Sequence, residues 1–124
     1  MEKFEILQSA ETARMQLLAT TAPDVVLSWG ISDFAAACFK GMPALCFKVN
    51  GRLFQGTVVI ALNGADYYEI YLLDLKGEKC ICEECCFDEM GDIIDRNIER
   101  GDDIKAYHQF CQQERKRLFM GDIG

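Results

Sequence analysis

The length, composition and charge of the chain exclude several classes of protein. Its 124 residues are 50% apolar and 27% charged, which is typical of a globular protein, and we expect one domain over residues 1–124. The net charge of −7 repels phosphate backbones, so direct nucleic-acid binding is not expected. Glu2, Glu5 and Glu11 interrupt any signal-peptide core, and no apolar run approaches the ~20 residues of a membrane span. A cytoplasmic protein without membrane contact is expected.

Apolar residues recur at helical spacing through residues 3–20 and predict an amphipathic helix. Its apolar face is expected to pack on a sheet through Phe4, Leu7, Ala10, Arg14 and Leu17–Leu18. Pro23 ends this helix, and Val25–Trp29, followed by Gly30, predicts a strand. Residues 32–38 fit either a short helical turn or an irregular strand.

The segment from Leu45 to Leu73 predicts an antiparallel meander. It contains the steps Asn50-Gly51 and Asn63-Gly64 between β-prone runs, and Asn-Gly favours hairpin turns because both residues tolerate positive φ. We expect strands over residues 44–50, 52–62, 66–73 and 78–84, with a further hairpin turn at residues 74–77.

Two helices are predicted after the meander. Asp88 is a candidate N-cap for a helix that carries Met90, Ile94 and Ile98 in register, and Gly101 ends it. A last helix starts at Asp102 or Asp103, and its apolar side holds Ile104, Tyr107, His108, Cys111 and Leu118. The basic cluster Arg115, Lys116 and Arg117 complements the dipole at its C-terminal end. The tail from Met120 is expected to fray.

These elements predict an α+β fold of two layers: a meander of about five strands packed with an N-terminal helix and two C-terminal helices. The second face of the sheet carries more apolar and aromatic material than a solvated face requires. Either a helix covers this face or it is an interaction surface, for which the candidate residues are Val59, Tyr67 and Tyr71.

The cysteines offer one candidate metal site. Cys82 and Cys85, in the cluster Cys80–Cys86, have the spacing of half a zinc site, and His108 with Cys111 supplies a second half. Packing of reduced thiols is the favoured interpretation, so no cofactor is expected and zinc is the alternative. A Cys–His hydrolase would need His108 as its base, because it is the only histidine. No nucleophile-elbow or protease pattern surrounds any cysteine, so catalysis is not expected.

Four segments resemble a known family: LSWG (27–30), CFKVNG (46–51), QGTVVIALNGADYYEIYLL (55–73) and DIIDRNIERGD (92–102). Together they are similar to small uncharacterised proteins of gut Bacteroidales and their mobile elements. The resemblance covers residues 25–102 and implies a helix–meander–helix layout with an accessory role. It implies no site residues, and the cluster Cys80–Cys86 lies outside its pattern.

The function predicted from the sequence is a non-enzymatic interaction module. It would bind another protein or a second copy of itself, most simply as a homodimer, through the second sheet face or an edge strand. One alternative is a zinc-binding domain. A third is an acidic decoy that occupies a basic nucleic-acid-binding protein, which requires carboxylates aligned in one stripe.

Overall fold

The computed structural model describes the backbone of residues 1–120 and the side chains of residues 1–103 and 105–114. Its helices are α1 (Lys3–Thr20), α2 (Pro23–Ser28), α3 (Met90–Ile98) and α4 (Ile104–Met120). Its strands are β1 (Ser32–Phe39), β2 (Met42–Asn50), β3 (Gln55–Leu62), β4 (Tyr68–Asp74) and β5 (Gly77–Cys85). Predictions for the side chains of Ile104, Arg115–Arg117 and Leu118, and for the tail beyond Met120, lie outside the described residues.

The five strands form one open antiparallel sheet in the order β1-β2-β3-β4-β5, so each strand pairs with its neighbour in sequence. This arrangement confirms the predicted α+β meander with an N-terminal helix and two C-terminal helices. The register is continuous between β2 and β3, from Ala44 opposite Ala61 to Asn50 opposite Gln55. It is irregular in β1 between Ser32 and Ala35, and again where β5 pairs with β4.

The predicted strand at Val25–Trp29 is wrong, because residues 23–28 form the short helix α2. Pro23 occupies its first turn, where a missing N–H costs nothing and the fixed φ suits a helix. The carbonyl of Ala22 accepts hydrogen bonds from the N–H groups of Val25 and Val26. Gly30 follows with a φ of +62° and redirects the chain into β1. Residues 32–38, left open between helix and strand, lie in β1.

The two Asn-Gly steps are correctly placed between strands, but neither forms a two-residue hairpin turn. The connections comprise residues 51–54 and residues 63–67, and neither Gly51 nor Gly64 has a positive φ. Asp66 instead adopts the positive φ in the second connection, at +64°. There the Asn63 side chain accepts hydrogen bonds from the N–H groups of Ala65 and Tyr67. Side-chain chemistry therefore shapes this turn, rather than the backbone freedom of its glycine.

The main core lies between the sheet and the helices. α1 packs on β1 and β2, and α3 packs beside β5. The buried apolar residues that join these layers include Ala10, Ala13, Leu17, Trp29, Leu45, Phe47, Val58, Ile60, Ile70, Met90, Ile94 and Ile98. The predicted in-register set Met90, Ile94 and Ile98 is thus confirmed as the buried face of α3.

Only some of the helix ends predicted for α3 and α4 match the structure. Asp88 is not the N-cap of α3, since this helix begins at Met90 and Glu89 precedes it without a side-chain cap. Gly101 follows α3 with a φ of +73° and donates to the carbonyl of Arg96, as a C-terminal glycine does. The Asp103 carboxylate accepts from the N–H of Ala106 and so confirms the predicted start of α4.

Candidate interaction surface

The second face of the sheet is closed by the sheet itself. Val59, Ala61, Ala44 and Tyr71 are buried there in a small apolar cluster. The half-buried residues packed around this cluster also come from strands, namely Phe39, Met42, Cys46 and Leu73. The sequence left two options for this face, a covering helix or an exposed surface, and the structure shows a third.

Side chains from opposite ends of the sheet meet over this cluster. Neighbouring strands lie ~4.8 Å apart, so a flat sheet would separate β1 from β4 by roughly 14 Å. The ring centroids of Phe39 in β1 and Tyr71 in β4 are nevertheless 4.9 Å apart. Nζ of Lys40 lies 4.8 Å above the Tyr71 ring and 2.9 Å from the Glu78 carboxylate, at the start of β5. The side chains of Phe39, Lys40 and Tyr71 therefore reach across this face and cover the small cluster.

These contacts decide how accessible the predicted surface residues are. Val59 is fully buried and Tyr71 is only 8% exposed, whereas Tyr67 keeps 38% of its surface in solvent. The Tyr71 hydroxyl donates to the Glu69 carboxylate at 2.7 Å, and this hydrogen bond raises the pKa of Tyr71 above its ordinary value. Because a docking surface needs accessible side chains, Val59 and Tyr71 do not supply one in this conformation. Tyr67 lies apart from them, in the turn between β3 and β4.

Tyr67 borders a groove of about 570 Å³ between α1 and two turns of the sheet. The groove is lined by Thr12, Gln16, Leu62, Asp66, Tyr67, Tyr68, Cys86, Phe87 and Asp88. Two of these lining residues are joined by a hydrogen bond of 2.7 Å, which the Tyr68 hydroxyl donates to the side chain of Gln16. Phe87 is half exposed at its rim.

The structure does not bring the alternative zinc ligands together. Cys85 is buried and Cys82 half-buried at the end of β5, whereas His108 and Cys111 are exposed on α4. Within the described residues, the ligand atoms that lie within 4.8 Å of one another belong to a different set, Cys86, Asp88 and Glu89. All three of these residues are exposed.

Three thiols of the cluster, those of Cys80, Cys85 and Cys86, lie in an environment that disfavours the thiolate. Burial, with the neighbouring Cys82 thiol, raises the pKa of Cys85 from 9.0 to about 12. Burial also raises the pKa of Cys80 and Cys46, and a hydrogen bond to Glu89 raises that of Cys86. A nucleophilic cysteine needs a lowered pKa, because the thiolate is the reactive form. These four cysteines have the opposite property.

α1 spans the predicted residues but is rotated, so that only part of the predicted face meets the sheet. Its buried residues are Ala10, Ala13 and Leu17, so small side chains let the helix approach β1 and β2 closely. Phe4 and Leu7, predicted to pack on the sheet, are 70% and 51% exposed. The expected core face is therefore only partly correct, because Ala10 and Leu17 are buried as predicted whereas Phe4, Leu7 and Leu18 are exposed. The sequence contained the reason, since apolar residues occur all around α1 and fit more than one face.

The exposed large apolar residues of α1 lie along one stripe together with Glu11 and the half-buried Arg14. We call this set the outer stripe: Phe4, Leu7, Glu11, Arg14, Met15 and Leu18. Residues at this spacing lie on one side of a helix, here over about four turns. Its centre is an ion pair in which Arg14 Nη2 lies 2.7 Å from Glu11 Oε1. The Arg14 guanidinium also lies 6.0 Å from the ring of Phe34, which extends the surface onto β1.

The two edge strands of the sheet, β1 and β5, differ in how well they are protected against pairing with another strand. β5 carries Glu78, Lys79, Glu83 and Glu84, and its irregular register further discourages pairing with another strand. In β1, the segment from Phe34 to Cys38 contains no charge. The less protected edge strand is therefore β1, one of the two strands on which α1 packs.

Several carboxylates are paired with cations of the same chain, at Glu11, Asp33, Glu78, Asp92 and Asp95. An acidic decoy needs free carboxylates in one stripe, whereas each of these five forms an ion pair within the chain.

None of the helices in the described part of the chain has the length and apolar character needed to cross a membrane.

Comparison of the chain with family models, curated proteins and solved structures finds no match. The resemblance to small Bacteroidales proteins therefore stays a prediction from the sequence.

Proposed function

We propose that the protein is a non-enzymatic interaction module that binds a second copy of itself through the outer stripe of α1. The observation that supports this most directly is the orientation of the helix. Ala10 and Ala13 enter the core, whereas the larger Phe4, Leu7 and Met15 lie in solvent. Burial of a large apolar side chain contributes ~1.5–3 kcal/mol. The stripe is thus a source of binding free energy that folding of a single chain does not use.

The area of the stripe bears on the strength of association. Its apolar residues expose roughly 450 Å² per chain, if a fully exposed large side chain presents ~200 Å². A symmetric pair would then bury roughly 900 Å², just below the ~1,000–1,200 Å² of small specific interfaces. Phe34, beside Arg14, adds to this area. We expect a reversible dimer with a dissociation constant in the micromolar range.

The cysteine chemistry supports a role without catalysis. The pKa of Cys85 is raised to about 12, and His108 is exposed on a different element from the cysteine-rich strand. A thiol nucleophile with a histidine base requires the opposite arrangement, a lowered pKa and a base within hydrogen-bonding distance.

The proposal is tested by light scattering coupled to gel filtration over a micromolar concentration series. We expect the wild-type mass to rise from 14.0 kDa towards twice that value as concentration increases. Leu7→Glu and Leu18→Glu place a charge in the stripe and are expected to keep the protein monomeric. Thr12→Glu adds the same charge at an exposed position of α1 outside the stripe and should dimerise like wild type. A wild-type protein that stays monomeric throughout the series contradicts the proposal.

A further inference from the structure

We infer that the two copies pair through antiparallel α1 helices, with the two-fold axis crossing the outer stripe midway between Glu11 and Arg14. This inference rests on the proposed function, because it specifies how the outer stripe binds a second copy. It makes the interface isologous, with the same residues contributed by both chains.

The spacing of the stripe supports this register. Phe4, Leu7, Glu11, Arg14 and Leu18 alternate by three and four residues, as the a and d positions of paired helices do. With the axis midway between Glu11 and Arg14, stripe residues whose numbers sum to 25 face each other. Leu7 then faces Leu18 of the partner subunit, and Glu11 faces Arg14 of the partner subunit. Apolar layers therefore flank a charged central layer on both sides.

The central charges select the antiparallel orientation. Within one chain, Arg14 contacts Glu11 through two nitrogens, at 2.7 Å and 3.3 Å. Both side chains remain more than one-third exposed, so each can accept a second partner across the interface. An antiparallel pair alternates two carboxylates with two guanidinium groups. A parallel pair would place Glu11 beside Glu11 of the partner subunit and likewise align the two Arg14 side chains, which is repulsive.

The ends of the stripe fit the same arrangement. Phe4, the most exposed residue of the stripe, lies one turn beyond Leu7. In the antiparallel register it reaches the last turn of the partner's α1, next to Leu18 of the partner subunit. Met15 borders the Glu11–Arg14 layer and shields it from water, which strengthens the charge pairs.

A photo-cross-linking experiment tests the orientation. Phe4 is replaced by benzoyl-phenylalanine, and isotope-labelled and unlabelled chains are mixed so that mass spectrometry identifies adducts between chains. We expect adducts on the partner's residues 15–22. Adducts on the partner's residues 1–8, or on a segment outside α1, would overturn the antiparallel pairing.

Charge reversal tests the central layer. Glu11→Arg and Arg14→Glu each place like charges across the axis, and we expect each to weaken association about tenfold or more. The double variant restores opposite charges and should associate within about threefold of wild type. Arg96→Glu, which breaks a comparable exposed pair with Asp92 on α3, should leave association unchanged. Circular dichroism checks that each variant is folded. Full association of both single variants, or a double variant as weak as the singles, would overturn the inference.

The two proposals fail in different ways. A wild-type chain that is monomeric at every concentration contradicts the proposed function. A dimer that is disrupted by Leu7→Glu but cross-links from Phe4 to the partner's first turn contradicts only the antiparallel arrangement.

Discussion

The indole Nε1 of Trp29 donates a hydrogen bond of 2.9 Å to Oδ1 of Asp95, and both residues are buried. This bond joins the end of α2 to the middle of α3, across 66 residues of sequence. A buried carboxylate is costly unless it is hydrogen-bonded or paired, and Arg100 Nε also lies 3.7 Å from Asp95. The pair therefore holds α3 against the core at a defined position.

Removal of this acceptor should destabilise the protein strongly. Asp95→Ala leaves the buried indole N–H without its partner, so we expect a loss of ~2–3 kcal/mol in the free energy of unfolding. Urea denaturation followed by fluorescence of Trp29, the only tryptophan, measures this loss. The control is Asp92→Ala, at an exposed carboxylate on the same helix, which should cost less than ~1 kcal/mol. Equal losses in the two variants would show that the Trp29–Asp95 bond has no special weight.

The two Asn-Gly steps should respond oppositely to alanine. A Cβ at Gly51 would collide with the backbone carbonyl of Ile98, whereas a Cβ at Gly64 meets nothing within 4 Å. Neither glycine has a positive φ, so steric fit alone separates them. We expect Gly51→Ala to cost more than ~2 kcal/mol, through displacement of α3 or of the β2–β3 connection. Gly64→Ala should lie within ~0.5 kcal/mol of wild type or be slightly stabilising. Thermal melts of both variants provide the comparison, and a stable Gly51→Ala variant would contradict it.

Arg52 is expected to hold α4 in place. Its guanidinium lies 5.4 Å from the rings of both Tyr107 and Phe110. It also donates to the backbone carbonyls of Glu99 and Arg100, at 3.0 Å and 2.8 Å. Arg52→Ala removes all four interactions, so amide exchange in residues 105–114 should accelerate by about tenfold or more.

The matched control for Arg52 is Arg96→Ala, which removes an exposed arginine that is paired only with Asp92 among the ion pairs found. Hydrogen exchange read by mass spectrometry should show no change in α4 for this variant. If α4 exchanges equally fast in wild type and Arg52→Ala, the arginine does not anchor the helix.

Stability should fall as the pH rises above 9. The folded protein raises the pKa of Cys85 from 9.0 to about 12, so between these values the unfolded chain loses a proton that the folded chain keeps. The protonated Cys85 thiol therefore contributes fully to stability below pH 9, and this contribution decreases as the pH rises from 9 towards 12. For Cys85 alone, the loss at pH 10 is roughly 1 kcal/mol.

Two cysteine variants test whether Cys85 causes this pH dependence. Cys85→Ala removes the group and should flatten the decline between pH 8 and pH 10, although a smaller core lowers its stability at every pH. Cys38→Ala removes an exposed thiol and should preserve the decline. The midpoints of urea denaturation at pH 8 and pH 10 measure the decline in stability. A Cys85→Ala variant with the wild-type decline would assign the effect to other thiols whose pKa is raised from 9.0, such as Cys46 and Cys80.

Local patterns in the sequence determined much of this fold. The β-prone apolar runs around Val58, Ile60 and Ile70, separated by turn residues, specified the central strands. The long helical repeat of residues 3–20 and the in-register Met90, Ile94 and Ile98 specified α1 and α3. Glycine at position 101 ended α3 through its positive φ.

Short segments were decided by tertiary structure. Residues 23–28 form a helix despite their β-prone valines, because Pro23 starts a turn that carries Trp29 into the core towards Asp95. Gly51 is required by the carbonyl of Ile98, which is distant in sequence, and not by its own turn. Contacts between distant segments leave no local pattern that reveals them.

The location of the candidate surface was also decided by tertiary structure. The sequence determined that more apolar material exists than one sheet face and one helix face can bury. Side-chain contacts such as that of Phe39 with Tyr71 bury the face for which the sequence left open a covering helix or an exposed surface. The close packing of Ala10 and Ala13 on the sheet then turns Phe4 and Leu7 into solvent. Sequence patterns count apolar residues, but the side-chain contacts across a sheet face and the rotation of a helix are set by packing across the whole molecule.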